Sequence, residues 1–225
     1  MTVAAVITAA GLGTRMGSTL PKGLVAVAGR PLVAHALDRI TPLASVIVVT
    51  AVEERIPEFV HVVGGRADVV AGSDSRQASV RAGLDALVAV GIGGDDVILV
   101  HDAARAFMPT DAMRRAVAAV ERGADVAVPV VPIVDTLVAA PSDDAYGEPL
   151  DRDQFRAVQT PQVFRASALI AAHAAATRDG AEATDDAELA RRIGLRIVAT
   201  EGHPWGFKVT HAGDLALAAH IAGQQ

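Results

Sequence analysis

Cysteine is absent from this 225-residue chain and lysine nearly so: Lys22 and Lys208 stand against eighteen arginines. Without thiols there is no disulfide scaffold, no thiolate metal site and no cysteine nucleophile. The seven histidines are scattered with no paired ligand spacing, so a structural zinc site is not expected. Aromatic residues make up 3%, the net charge is −6 and no basic stretch occurs. That combination argues against nucleic-acid binding. Long apolar runs are missing too. The first run, Val3 to Ile7, has no basic segment ahead of it and meets glycine within a few residues. Neither a signal peptide nor a membrane span is expected, which reads as a cytoplasmic protein.

What is present is alanine and valine. Apolar residues are 51% of the chain, enough for one α/β domain over residues 1–225 with a core of small and branched side chains. β-Branched runs recur at Val3–Ile7, Val46–Val49, near Val69-Val70, at Val97–Val100 and at Val126–Val131. Helical patterns lie between them at Leu32–Ile40, Ser75–Val90 and Ala112–Arg122, the last with Pro109 ahead of it and Thr110 or Asp111 as its cap. Strands apolar on both faces and alternating with helices predict a mostly parallel sheet covered on two sides. After Val131 the alternation breaks. Ile133–Ala139 and Leu150–Ala157 read as two strands joined by a polar turn over residues 141–149, a hairpin arm at about 133–157. Helices then follow at Ala166–Thr177 and Asp186–Ile193, a strand at Arg196–Thr200, a strand-like segment Gly206–Thr210 and a helix from about Ala212.

The loop Ala9-Ala10-Gly11-Leu12-Gly13-Thr14-Arg15-Met16-Gly17 follows the first strand, and Lys22 follows the loop. Glycine-rich backbone, a following helix N-terminus and two cations make a cradle for a polyphosphate. It is not a dinucleotide fingerprint, because Met16 takes the place of the third glycine. Nor does an acidic residue end the second strand, Val48-Val49-Thr50-Ala51. Asp102, in His101-Asp102-Ala103-Ala104-Arg105, falls at the end of a parallel strand. There it serves either as a magnesium ligand or as a loop brace paired with Arg105. Ser73 or Asp74, in Gly72–Ser79, either caps the next helix or meets a base or ribose. Asp185 and Glu188 have capping-box spacing, and Thr184 beside them is placed to hold a phosphate. Arg152 and Thr160 are further anion-binding candidates.

These segments in this order resemble the 2-C-methyl-D-erythritol 4-phosphate cytidylyltransferases of the non-mevalonate isoprenoid pathway. The matching pieces are AAGLGTRMG with PK, AGSDSRQASV, VHDAAR, PIVDT, LDR with TPQVF, ATDDAE and FKVT, spread over nearly the whole chain. The resemblance implies a Rossmann-like α/β domain with a protruding β-arm and a homodimer whose arms embrace. It implies that Arg15 and Lys22 clamp the CTP phosphates and the transition state, that Lys208 bridges nucleotide and acceptor, and that Asp102 binds Mg2+. Ala10, Gly11, Leu12, Gly13, Gly72, Ser73, Asp74, Ser79 and Ala103 would line the nucleotide site. Arg105, Thr136, Arg152, Thr160 and Thr184 would surround methylerythritol phosphate, some of them from the partner's arm. Gly23 stands where many members carry glutamine, and Gly206-Phe207 where Asn-Ile is common. The competing readings are another sugar-phosphate nucleotidyltransferase, an NAD-linked oxidoreductase and a non-catalytic nucleotide-binding module.

Overall fold

The computed structural model describes residues 1–140 and 145–224. In chain order the strands are β1 (Val3–Thr8), β2 (Ala26–Val27), β3 (Arg30–Pro31), β4 (Val46–Ala51), β5 (Asp68–Ala71), β6 (Val97–Asp102), β7 (Val126–Pro132), β8 (Leu137–Val138), β9 (Pro149–Leu150), β10 (Arg156–Val158), β11 (Gln162–Arg165) and β12 (Ile197–Glu201). The α-helices are α1 (Leu32–Ile40), α2 (Ile56–Val63), α3 (Arg76–Ala89), α4 (Thr110–Glu121), α5 (Ala166–Asp179), α6 (Asp186–Arg192) and α7 (Ala212–Ala222).

The main sheet runs β10-β7-β11-β6-β1-β4-β5, with β12 also paired to β7. β1 pairs in parallel with both β4 and β6, and β4 with β5. Chain order therefore moves outward in one direction through β4 and β5 and in the other from β6, leaving a crevice between the ends of β1 and β6. Open α/β sheets bind ligands at such a reversal. Thr8 and Asp102 are register partners there.

Alternate residues of each central strand face opposite layers, as the two-residue pleat requires. Ala5, Ile7, Val97 and Leu99 pack with Leu37 and Ile40 of α1, Phe59 of α2 and Met113 of α4. Ala4, Val6, Ile98 and Val100 pack with Leu84 of α3, Leu169 of α5 and Leu189 of α6. A third cluster joins Met16 of the glycine loop, Leu32, Phe107, Val209 and Ile221. Through it α7 and the segment before it are docked under the loop.

Several local expectations need correction. The glycine loop is followed by 3-10 turns at Thr14–Met16 and Lys22–Leu24, not by a helix, so no helix dipole reinforces it directly. Helix α2 is absent from the sequence reading because Pro57 and four β-branched residues obscure its period, although Phe59 and Val63 are its buried face. β11 is also additional, lying antiparallel between β6 and β7. Helix α4 is preceded by Pro109 with no side-chain cap. Residues 206–210 form no strand; a 3-10 turn at Pro204–Gly206 precedes an extended segment whose Val209 N–H donates to Ala104 O at 2.8 Å. The expected hairpin is narrower: β8 pairs antiparallel with β9 over two residue pairs. Residues 152–154 turn as a 3-10 helix, and β10 returns to the main sheet beside β7. The first four residues of the expected turn, 141–144, lie outside the described residues.

Candidate active site

A cavity of about 580 Å³ opens at the reversal of strand order. Its lining includes Ala10, Gly11, Leu12 and Arg15 from the glycine loop and Lys22 from the 3-10 turn after it. Gly72, Ser73, Asp74 and Ser79 line it from the turn into α3, and Asp102, Ala103 and Lys208 from the far side. Loop closure is local: Lys22 N–H donates to Gly11 O at 2.8 Å. In the turn before α3 the capping residue is Ser75, whose hydroxyl accepts from Ala78 N–H, so neither Ser73 nor Asp74 is the cap. Ser79 Oγ accepts the Ser73 N–H at 2.9 Å and fixes that turn. A methyl group on Gly72 would lie 2.7 Å from Ala10 Cβ, so only glycine lets the two walls meet.

Asp102 is the electrostatic centre. Its Oδ1 accepts from Arg76 Nε at 3.0 Å and from Thr8 Oγ1 at 3.2 Å, and its Oδ2 from Lys208 Nζ at 2.7 Å. Burial opposes ionisation of this carboxyl, but Arg76 and Lys208 overcome it and hold the acid far below the usual carboxylate range. The sequence-level alternative of an Asp102–Arg105 pair is not realised. Arg105 instead donates to Gly206 O at 2.8 Å and Val158 O at 3.1 Å, tying β10 to the segment that carries Lys208. The side chains of Arg15 and Lys22 have no ion-pair or hydrogen-bond partner among the described residues. Lys22 is only 7% exposed. Burial, then Lys208 and Arg15, lowers its pKa. A cation in that state is stabilised by an arriving anion.

Not every expected residue reaches this cavity. Gly13 lies in the loop behind it. Thr160 is buried beneath it, accepting the Asp102 N–H at 3.1 Å and meeting His101 Nδ1 at 3.0 Å. Burial holds the His101 pKa down to about 4, so that ring is neutral. Thr184 bonds through its N–H to Glu188 at 3.2 Å, and Asp185 caps α6; half of the expected capping box therefore forms, with Glu188 reaching Thr184 rather than Asp185. Arg152 donates to Val134 O, and Thr136 is exposed nearby on the β8 side of the short ladder. Two features went unread in sequence. Val52, Glu53 and Glu54 form one wall, and Arg76 joins Asp102 to Asp186 of α6, donating from Nη1 to Asp186 Oδ2 at 2.7 Å. Arg76 had one local signal, a cation in the first turn of a helix, where the backbone dipole disfavours it.

The family model for 2-C-methyl-D-erythritol 4-phosphate cytidylyltransferase matches residues 3–224. The chain belongs to that family. A protein of that name from Saccharopolyspora erythraea is 41% identical over 233 residues, covering 98% of this chain and 99% of the relative. One from Thermus thermophilus is 39% identical, covering 99% and 98%. The crystal structure of the cytidylyltransferase from Thermus thermophilus matches this fold with a TM-score of 0.82 at 36% identity, covering 99% of this chain and all of that one.

The two positions at which the sequence departs from the expected pattern are tightly packed. A Cβ on Gly23 would meet Ala9 Cβ and the Phe59 ring at 2.9 Å. Phe59, fully buried on α2, fills the space a longer residue would need. A Cβ on Gly206 would meet Met108 Sδ at 2.5 Å and Gln159 Oε1 at 3.0 Å. Lys22 adjoins, and Lys208 follows by two residues, a glycine that lets the backbone approach a neighbour.

Proposed function

We propose that the protein transfers the cytidylyl group of CTP to 2-C-methyl-D-erythritol 4-phosphate, releasing pyrophosphate and forming 4-diphosphocytidyl-2-C-methyl-D-erythritol. The observation that carries the reading is a cavity lined by Lys208 on the ionised Asp102 and by two further cations, Arg15 and Lys22, that are without a partner among the described residues. An acceptor phosphate is already an anion at neutral pH, so no general base is needed. Its oxygen attacks the α-phosphorus in line, the P–O bond to the β-phosphate breaks, and pyrophosphate leaves with that electron pair. Arg15 and Lys22 face the charge that builds on the phosphoryl oxygens, which is where positioning and electrostatics act in such transfers. Lys208 can rotate from Asp102 towards phosphate oxygens shared by nucleotide and acceptor. The backbone at Ala10, Gly11 and Leu12 and the turn Gly72–Ser79, with Ala103, would enclose the nucleotide. Arg105, Thr136, Arg152, Thr160 and Thr184 would shape the acceptor side.

Mg2+ belongs to this reading. Among the described residues no cluster of three His, Asp or Glu could hold a metal, so a cation would take most ligands from water and substrate, as magnesium does. Asp102 fits as the single protein carboxylate, since it is ionised and its Oδ2 accepts, among the described residues, from Lys208 alone. Bound there, the ion would neutralise triphosphate charge. A homodimer is also part of the reading: the stretch from Val134 to Val158 exposes Val134, Tyr146, Leu150, Phe155 and Val158, and an exposed ladder of two residue pairs is unstable alone. We take residues 1–225 as one catalytic domain acting in the cytoplasm, where its nucleotide is found. No described helix is long and apolar enough to cross a membrane. Pyrophosphate release with CTP, methylerythritol phosphate and Mg2+, beside ATP, GTP and UTP, tests the assignment. Turnover with CTP alone among the four is expected; no release with that pair refutes it.

A further inference from the structure

Beyond the loop cations, a chain of charged side chains runs from α5 into the cavity. His173 Nε2 meets Asp186 Oδ1 at 2.9 Å, and Asp186 Oδ2 accepts from Arg76 Nη1 at 2.7 Å. Arg76 Nε then donates to Asp102 Oδ1 at 3.0 Å, and Asp102 Oδ2 accepts from Lys208 at 2.7 Å. His173 and Asp186 are almost fully buried, Arg76 keeps a quarter of its side chain exposed, and Lys208 more than a third. Exposure is greatest at the cavity end, on Lys208.

Arg76 is an odd choice for its position. It is the first residue of a 14-residue helix, where positive charge opposes the dipole and costs a few tenths of a kcal/mol or more. Its Nη2 is buried without a partner, so full hydrogen bonding is not what seats it. The two carboxylates are. One ends β6 beside the nucleotide turn, and the other begins α6, two residues after Thr184.

We propose that Arg76 is a positioning residue for the transfer. Its planar fork holds Asp102 in one orientation and ties the start of α6 to the nucleotide side, so that Lys208 can leave Asp102 for phosphate without the carboxylate turning away. The inference rests on the cytidylyltransferase reading. It separates two cations that look equivalent in sequence, one fixed between two acids and one held by a single acid and free to rotate.

The test is steady-state kinetics on the full chain for Arg76→Lys, Asp186→Asn and the double variant, with CTP and acceptor varied separately and thermal unfolding followed alongside. A lysine cannot reproduce the fork. Arg76→Lys is therefore expected to lower kcat by about 30-fold or more, with each KM within about threefold, since small misplacements cost up to about a hundredfold. Asp186→Asn should lower kcat by about fivefold or more, and the double variant should be within about threefold of Arg76→Lys, because Asp186 acts through Arg76. Multiplying effects overturn the proposal. So does a wild-type kcat per folded molecule in variants whose unfolding temperature has dropped. If Arg76→Lys does not fold, the Asp186→Asn rate split decides. A wild-type chain inert towards CTP and methylerythritol phosphate sinks the function assignment itself, and this inference with it.

Discussion

Lys22 has little room. Its own surface is almost wholly covered, the next residue lies against the Phe59 ring, and its neighbours in charge are Arg15 and Lys208. A guanidinium there must place its charge elsewhere. Lys22→Arg is expected to lower kcat more than tenfold, roughly 1.4 kcal/mol of transition-state stabilisation, with a smaller change in apparent CTP affinity. Lys208→Arg should impair both kcat and CTP affinity, since that ammonium must exchange Asp102 for phosphate. Wild-type kinetics in both variants would show that the two lysines are accidents of composition. Asp102→Asn leaves Arg76 its bond to Asp186 and frees Lys208, so the chain should still unfold cooperatively while turnover drops about a hundredfold or more. Near-normal, Mg2+-dependent turnover would make Asp102 a structural acid. That Lys22 and Asp102 line the cavity was legible in sequence because a glycine loop and a strand end are local properties. Arg76 was not, because its partners lie 26 and 110 residues away.

Elements were legible wherever the apolar period is clean. α1 and the central strands fall close to where the sequence puts them, whereas α2 was hidden by its proline and β-branched residues and is helical because Phe59 and Val63 find a core. The extended segment around Lys208 looks like a strand by composition but has no partner strand to pair with. Its place is fixed by Trp205, Phe207 and Val209 packing near α7. Tertiary contacts, not propensity, made those decisions. Gly23→Gln should destabilise by about 1–3 kcal/mol through overpacking against Phe59. Combined with Phe59→Ala, it should cost less than the sum of the two single changes. Additive urea midpoints would show that the ring and the glycine are not matched. Between α5 and α6, burial disfavours the Asp186 charge but His173 and Arg76 outweigh it, leaving the pKa lowered. Its contribution is then present above the unfolded value of about 3.9 and lost as pH falls through the folded value. The stability gap between wild type and Asp186→Asn should narrow below about pH 4. A gap that widens in acid would contradict this charge state.

At the scale of the whole molecule, Tyr146 and Phe155 lie in the open, 79% and 43% exposed. Replacing both with aspartate should barely affect an isolated subunit, since exposed changes usually stay within about 0.5 kcal/mol. In a dimer joined through this stretch, the same change should raise the dissociation constant seen by sedimentation and lower activity at dilute concentration. An unaltered oligomer would place the interface elsewhere. Sheet order carries a separate consequence. β11 lies between β6 and β7 yet follows both in the chain. A nascent polypeptide that has delivered β7 to the ribosome exit therefore has a sheet with a missing slat, and the gap persists until residues 162–165 emerge. Cutting the gene between the codons for β8 and β9 would leave the N-terminal product with that slot vacant and the C-terminal product carrying the slat without its frame. Produced together, the two halves are expected to co-purify as an active pair, and alone neither should stay in solution, which makes the β8–β9 ladder the natural seam for a split-enzyme reporter.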